Sequence, residues 1–217
     1  MRRKLFVKCI LMIFVLSTIA CSGLRFSQLA PEVKSFHHCS ELRFSQLAPE
    51  AKDFHPQKVA VFPVEMLNSE ETKGAKGVVE QIVADSFIEK KWLANIMDTK
   101  SMNSQLLVNE ELNKAMTEYL SKLRTVNFSD PDLSKKIGEL AKVDAFLLVS
   151  VDGWDYAFEK DEKVAKVSMT MRLYEASTGK LMWKAGHAIT ESYMLFMPDL
   201  PKVARDVTRE MIVCMPH

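Results

Sequence analysis

The chain has little that is long and apolar: its most hydrophobic opening run, Cys9–Ala20, covers twelve residues, whereas a helix that crosses a bilayer needs about 20. Cysteine is scarce, with four in 217 residues, too few for a disulfide-rich scaffold and without the paired spacing of a zinc site. Charge of one sign is also missing. A formal net charge of +1 gives no basic face for nucleic acid, so no nucleic-acid partner is expected. There is no glycine-rich phosphate loop, no nucleophile elbow and no pair of histidines at helical spacing. These absences point away from an enzyme, and no catalytic residue, cofactor or metal is expected.

What is present begins at the N-terminus. Arg2, Arg3 and Lys4 precede the apolar run, which ends in Thr18-Ile19-Ala20-Cys21-Ser22-Gly23. Basic start, short apolar segment and small-residue junction have the form of an export signal. The junction resembles the lipobox of bacterial lipoproteins, with Thr18 where Leu, Val or Ile is usual. That resemblance implies removal of residues 1–20, a lipid on Cys21 and a membrane partner held through it. Ser22 just after the cysteine resembles the address for the outer membrane, periplasmic face. Ordinary signal cleavage, or an uncleaved anchor strained by Lys8, is the alternative.

The next 36 residues are an 18-residue unit written twice, Cys21–His38 and Cys39–Pro56, identical at fourteen positions. Two units are too few for a solenoid, and neither shows the period of a packed element. They read as a tether. As a flexible coil, 36 residues reach roughly 30–36 Å, against roughly 21–25 Å for one copy. The other reading is a docking peptide, Leu-Arg-Phe-Ser-Gln-Leu, presented twice to raise its effective concentration.

Cysteine use fits export. Cys9 leaves with the signal and Cys21 takes the lipid, so Cys39 and Cys214 remain. Cys39 reads as a passenger of the duplication; a bridge to Cys214 is open in an oxidising compartment, but spacing does not establish its geometry. His37, His38 and Cys39 lie together, yet adjacent side chains diverge and no second ligand cluster follows, so they read as exposed linker.

Residues 57–217 form one domain, at about 160 residues large enough for a substantial core. Lys58–Val64 is a short apolar strand with Pro63 at its end. A helix follows, capped by Ser69, with Glu70 and Glu71 in its first turn and Lys90 and Lys91 in its last. Val79, Ile82, Val83 and Phe87 share one face of it. Ala94–Asp98 is a weak strand. Leu112, Met116, Tyr119, Leu120 and Leu123 line a further helix, and Asp130 with Pro131 starts another that buries Leu133, Ile137, Leu140 and Ala141. Ala145–Val151 is a continuous apolar run and hence a central strand. Val167, Met169, Met171 and Leu173 alternate with polar residues, and Ser177-Thr178-Gly179-Lys180 turns the chain into Leu181, Trp183, Ala185, His187 and Ile189, an antiparallel hairpin. A last helix starts near Asp199 and buries Leu200, Val203, Val207 and Met211. The expected fold is α/β, a single small domain with a mixed sheet in the order β-α-β-α-α-β-β-β-α, flanked by helices.

Three stretches, Val59–Val64, Ala141–Trp154 and Arg172–Trp183 with Glu175 at its usual aspartate position, together resemble bacterial lipoproteins of the DUF799 (GNA-type) group and their curli-secretion-like and penicillin-binding-protein-activator-like relatives. The resemblance implies a small periplasmic α/β domain without a catalytic centre, assisting an envelope complex for transport, secretion or cell-wall work, with self-association as one form of partnership. The hairpin is too short for a curli-type pore.

Two places invite a functional reading. Tyr193-Met194-Leu195-Phe196-Met197 is apolar where a loop is expected: exposed, it marks a partner contact; otherwise Leu195 and Phe196 tuck beneath the last helix. Asp152 and Asp155 flank Trp154 where a strand ends, and carboxylates there support acid–base work or cation binding. This gives the rival reading, a periplasmic ligand-binding or hydrolytic protein with a cleft at that point. His187, in register with Trp183 and Ile189, reads as a core histidine.

Overall fold

Seven consecutive residues without a charge, Ala145–Val151, need cover on both faces of a strand, and they lie at the middle of the sheet. The computed structural model describes residues 39–66, 74–90 and 95–216. Its elements, in chain order, are β1 (Phe44–Leu47), a 3-10 turn (Pro49–Asp53), β2 (Lys58–Val61), β3 (Glu65–Met66), α1 (Ala75–Lys90), β4 (Asn95–Met97), α2 (Thr99–Val108), α3 (Glu110–Val126), α4 (Pro131–Ala141), β5 (Ala145–Glu159), β6 (Glu162–Glu175), β7 (Leu181–Tyr193) and α5 (Leu200–Ile212). The seven-stranded sheet runs β1-β7-β6-β5-β2-β4, with β3 continuing beside β5. Strands β2 and β3 are parallel to β5, while β5, β6, β7 and β1 are successively antiparallel. The mixed α/β sheet is as expected.

Strand alternation divides the interior in two. Val59, Val61, Ala145, Leu147 and Val149 face one core with α1 and α5, where Val79, Ile82, Val83, Phe87, Val203 and Val207 are buried. Ala60, Phe62, Phe146 and Leu148 face the other, covered by α2, α3 and α4 through Met102, Leu112, Met116, Tyr119 and Ile137. Phe146 is the hub of this second core. Its ring stacks on Phe62 at 4.8 Å and on Tyr174 at 5.9 Å, and meets the edge of Tyr119 at 5.3 Å.

Local chemistry starts the helices. Asp98, Asn109 and Asp130 each accept a backbone N–H of the first turn they cap, at 2.8, 3.0 and 3.0 Å, and Pro131 occupies the first turn of α4. Ser69, Glu70, Glu71 and Lys91, expected at the ends of α1, lie outside the described residues. The Lys122 ammonium, 2.7 Å from Asp130, and after it the Leu133 amide, hold the Asp130 carboxyl below the usual carboxylate range. A carboxyl whose native pKa is lowered stabilises the fold in full above the unfolded value of about 3.9, and that stability is lost as pH falls through the lower native value. Thermal midpoints are therefore expected to fall as pH drops below about 5, and Asp130→Asn, which keeps a cap but cannot ionise, should flatten that part of the profile.

The half-buried hydroxyl of Ser129 links α3 to the β6–β7 turn. Ser129 donates to the Gly179 carbonyl at 2.5 Å, so Tyr119 donates to Ser129 at 2.8 Å, and burial pushes the Tyr119 phenol upward from its ordinary pKa. Ser129→Ala would strand the phenol in the core at about 1–3 kcal/mol, whereas Tyr119→Phe removes donor and need together and should cost about 1 kcal/mol. Denaturant midpoints of the two variants would test this order.

Three expectations are corrected. Helix α2 goes unannounced because it buries only Thr99 and Met102 and leaves Leu107 and Val108 exposed. The strand expected over Ala145–Val151 continues to Glu159, and Lys160 and Asp161, both at positive φ, turn it into β6. The tether expected over 21–56 is not a tether in its second copy. Residues 44–47 pair with β7, Leu42, Ala51 and Phe54 are buried, and Cys39 is joined to Cys214 with 5.6 Å between their Cα atoms. Residues 39–56 thus belong to the same compact unit as the domain expected over 57–217. Apolar period misled here: an extended segment followed by a 3-10 turn delivers Leu42, Ala51 and Phe54 at spacings that belong to neither helix nor strand. The first copy, the signal and Cys21 lie outside the described residues.

Candidate partner-binding site at the far end of the sheet

Strands β5, β6 and β7 are 15, 14 and 13 residues long, and burial along β5 gives way to partial and then full exposure after Val151. In this distal part, Trp154, Tyr156 and Phe158 occupy alternate positions of β5 and so project from one face. Register carries that face across the sheet: Trp154 lies opposite Val167, which lies opposite Ile189, and Phe158 opposite Lys163, which lies opposite Tyr193. Trp154 and Ile189 rest against the core shared with α5, while Phe158 is 68% exposed.

The loop after β7 joins this aromatic row. Tyr193 meets Tyr156 edge-on at 6.2 Å, and the Tyr156 hydroxyl donates to the Pro198 carbonyl at 2.8 Å. With Leu200 buried just beyond, the loop is fastened at both ends. Between these points Met194, Leu195 and Phe196 are 91%, 89% and 90% exposed, and Met197 is 59% exposed. Leu195 and Phe196 therefore do not tuck under α5. Four large apolar side chains on a fastened loop form the kind of exposed patch that marks an interaction surface. The turn next to them carries both signs of charge, Glu159, Lys160, Asp161, Glu162 and Lys163, with Lys166 paired to Glu159 at 2.7 Å.

Of the sequence-derived candidates, Tyr193 and Met194–Met197 come together here. Tyr156 and Phe158 lie beyond the strand expected over Ala145–Val151; the alternation of Trp154, Tyr156 and Phe158 with Asp155, Ala157 and Glu159 is the sequence signal for them.

The carboxylate pair does not converge on a common point. Asp152 sits at an irregularity in the β5–β6 register and accepts the Thr170 hydroxyl at 2.7 Å and the Ser150 hydroxyl at 3.5 Å. Asp155 lies opposite Lys166 within the paired strands. Open hollows of about 570 and 360 Å³ lie elsewhere, one beside His55, Lys142 and Glu175 and one between α1 and α2. His187 is buried, as expected of a core residue, with Nε2 2.6 Å from Glu210 of α5, while its buried Nδ1 has no partner.

No protein-family model and no curated protein matches the chain. Solved structures do. A point variant of the PelC dodecamer from Paraburkholderia phytofirmans matches with a TM-score of 0.51 and 16% identity, covering 80% of this chain and 98% of that one. The hypothetical protein CT253 from Chlamydia trachomatis matches with a TM-score of 0.50 and 10% identity, covering 71% and 92%. Lipoprotein GNA1162 from Neisseria meningitidis matches with a TM-score of 0.44 and 17% identity, covering 72% and 98%. At these identities the likeness is one of fold.

Proposed function

We propose that this protein is a lipid-anchored accessory or assembly factor of the cell envelope, without enzymatic activity, held through Cys21 on the periplasmic face of the outer membrane and acting by protein–protein contact. The observation that carries this reading is the exposed apolar loop Met194–Met197, fastened between β7 and α5. Two others support it. A lipobox-like junction stands at Cys21, and a disulfide joins Cys39 to Cys214, a bond that persists in oxidising compartments. The PelC variant of shared fold is a dodecamer, so further copies of this chain belong among the partners to be sought. No helix among the described residues is long and apolar enough to cross a membrane.

The test is a crosslinked pull-down from intact membranes, comparing wild type, Cys21→Ser and Leu195→Ser/Phe196→Ser, with partners identified by mass spectrometry. Because both loop side chains are about nine-tenths exposed, the double substitution should alter stability by no more than about 0.5 kcal/mol. It should stay at the membrane and lose the partner, whereas Cys21→Ser should leave the membrane. A loop variant that recovers the wild-type partners at wild-type yield would overturn the assignment of the contact surface.

A further inference from the structure

Eleven methionines fall among the described residues, and burial divides them sharply. Eight lie inside the two cores at 6% exposure or less. Met66 is half-buried and packs against the first core. The remaining two stand in the apolar loop after β7, Met194 at 91% and Met197 at 59% exposure, one on each side of Leu195 and Phe196. The most accessible thioethers of the domain are therefore gathered on the surface proposed above as the partner contact.

A thioether sulfur accepts an oxygen atom from two-electron oxidants, and access sets which methionine reacts. Met169 shows the protected case: it is fully buried, and its sulfur takes the Thr208 hydroxyl at 3.7 Å. Faster-reacting thiols do not compete among the described residues, because Cys39 and Cys214 are joined and a disulfide has no thiolate. The sulfoxide that forms is polar. On the free loop, water solvates its oxygen. Beneath a partner that buries Leu195 and Phe196, the same oxygen would lose that water without a donor in exchange, which weakens the contact. The fastening of the loop uses neither sulfur: the Tyr156 hydroxyl donates to the Pro198 carbonyl at 2.8 Å, and Tyr193 meets Tyr156 edge-on at 6.2 Å. Oxidation should therefore change the surface and leave the fold.

We infer that Met194 and Met197 are modification sites, converted to methionine sulfoxide by an oxygen-donating oxidant, hypochlorous acid or hydrogen peroxide, and that this conversion releases the partner from the loop. A sulfur lone pair forms the new S–O bond as the O–Cl or O–O bond breaks. The sulfur gives up two electrons, and the oxidant leaves as chloride and a proton, or as water. Methionine sulfoxide reductases reverse such a change. The inference rests on the contact-surface reading of this loop and adds a chemical control to it. Leucine at both positions would offer the same apolar contact without the sulfur.

The test treats membranes carrying the full chain with hypochlorous acid at low molar excess, followed by a quench. Site-resolved mass spectrometry of wild type should find Met194 and Met197 oxidised at least about tenfold faster than the core methionines. In a crosslinked pull-down, oxidised wild type should capture about tenfold less of the partners that untreated wild type recovers. Met194→Leu/Met197→Leu should capture them equally before and after treatment. Oxidant damage to the partners strikes both chains alike, so the difference between them belongs to the two sulfurs. Uniform oxidation of loop and core methionines would overturn the inference. So would wild-type capture that survives full conversion of both residues, or an equal loss of capture in the leucine variant. Untreated Leu195→Ser/Phe196→Ser separates this inference from the reading beneath it. If that variant loses capture while oxidised wild type keeps it, the contact surface stands and only the oxidative control falls; if it captures as wild type does, both fall.

Discussion

Replacing Cys39 or Cys214 with serine is expected to lower the melting temperature of the oxidised protein by about 6–12 °C, and reduction of the wild type should do the same. The bond joins residues 175 positions apart, so it restrains nearly the whole domain when unfolded. Chain entropy alone would assign such a closure about 5 kcal/mol, while measured bridges more often give about 2–4 kcal/mol. At about 3 kcal/mol, and about 2–4 °C per kcal/mol for a domain of this size, the stated shift follows. The loss should also be uneven. Cys39 anchors the far end of a segment whose β1 strand is only four residues long, so amide exchange should quicken first across residues 40–57, and only later in β5 and β6. A calorimetric scan with and without reductant, paired with hydrogen exchange, measures both effects. An unchanged midpoint would mean that β1 and the 3-10 turn hold without the bond.

The same segment shows where sequence reading stops. Period located the helices that have a face: Val79, Ile82, Val83 and Phe87 in α1, and Val203, Val207 and Met211 in α5, are all buried. It also located β5, β6, β7 and the turn at Gly179, which has φ +68°. It failed where burial comes from long-range contact. Leu42, Ala51 and Phe54 are buried by β7 and the neighbouring core, elements far ahead in the chain, and no local spacing reports that. β3, two residues long, exists only because β5 runs on beside it. The candidate site was half legible. Tyr193–Met197 stood out as large apolar residues between elements, and only coordinates could decide whether they were inside or out. Tyr156 and Phe158 were hidden by Asp152, where the strand absorbs a polar residue at a register irregularity and continues.

Two phenylalanines at opposite ends of this molecule should behave in opposite ways, and Phe146→Ala is expected to be the most destabilising single substitution considered. Phe146 is fully buried and holds Phe62, Tyr119 and Tyr174 together, so its removal opens a cavity bounded by β2, α3 and β6. Phe-to-Ala changes in such cores cost about 3–5 kcal/mol, a large part of the about 5–15 kcal/mol that folds an ordinary domain. Phe146→Leu refills most of the volume and should cost less, about 1.5 kcal/mol or under. Urea midpoints should fall in that order with the slope unchanged, as for a stability effect in a two-state transition. Phe196→Ser, at 90% exposure, should leave the midpoint in place. The proposed role makes the reverse demand on binding. Phe146→Leu, folded and with its distal strands intact, should capture partners as wild type does, whereas Phe196→Ser should capture less. If Phe146→Leu impaired capture while Phe196→Ser did not, the contact surface would lie over the α2–α4 face of the sheet rather than at the end of β7.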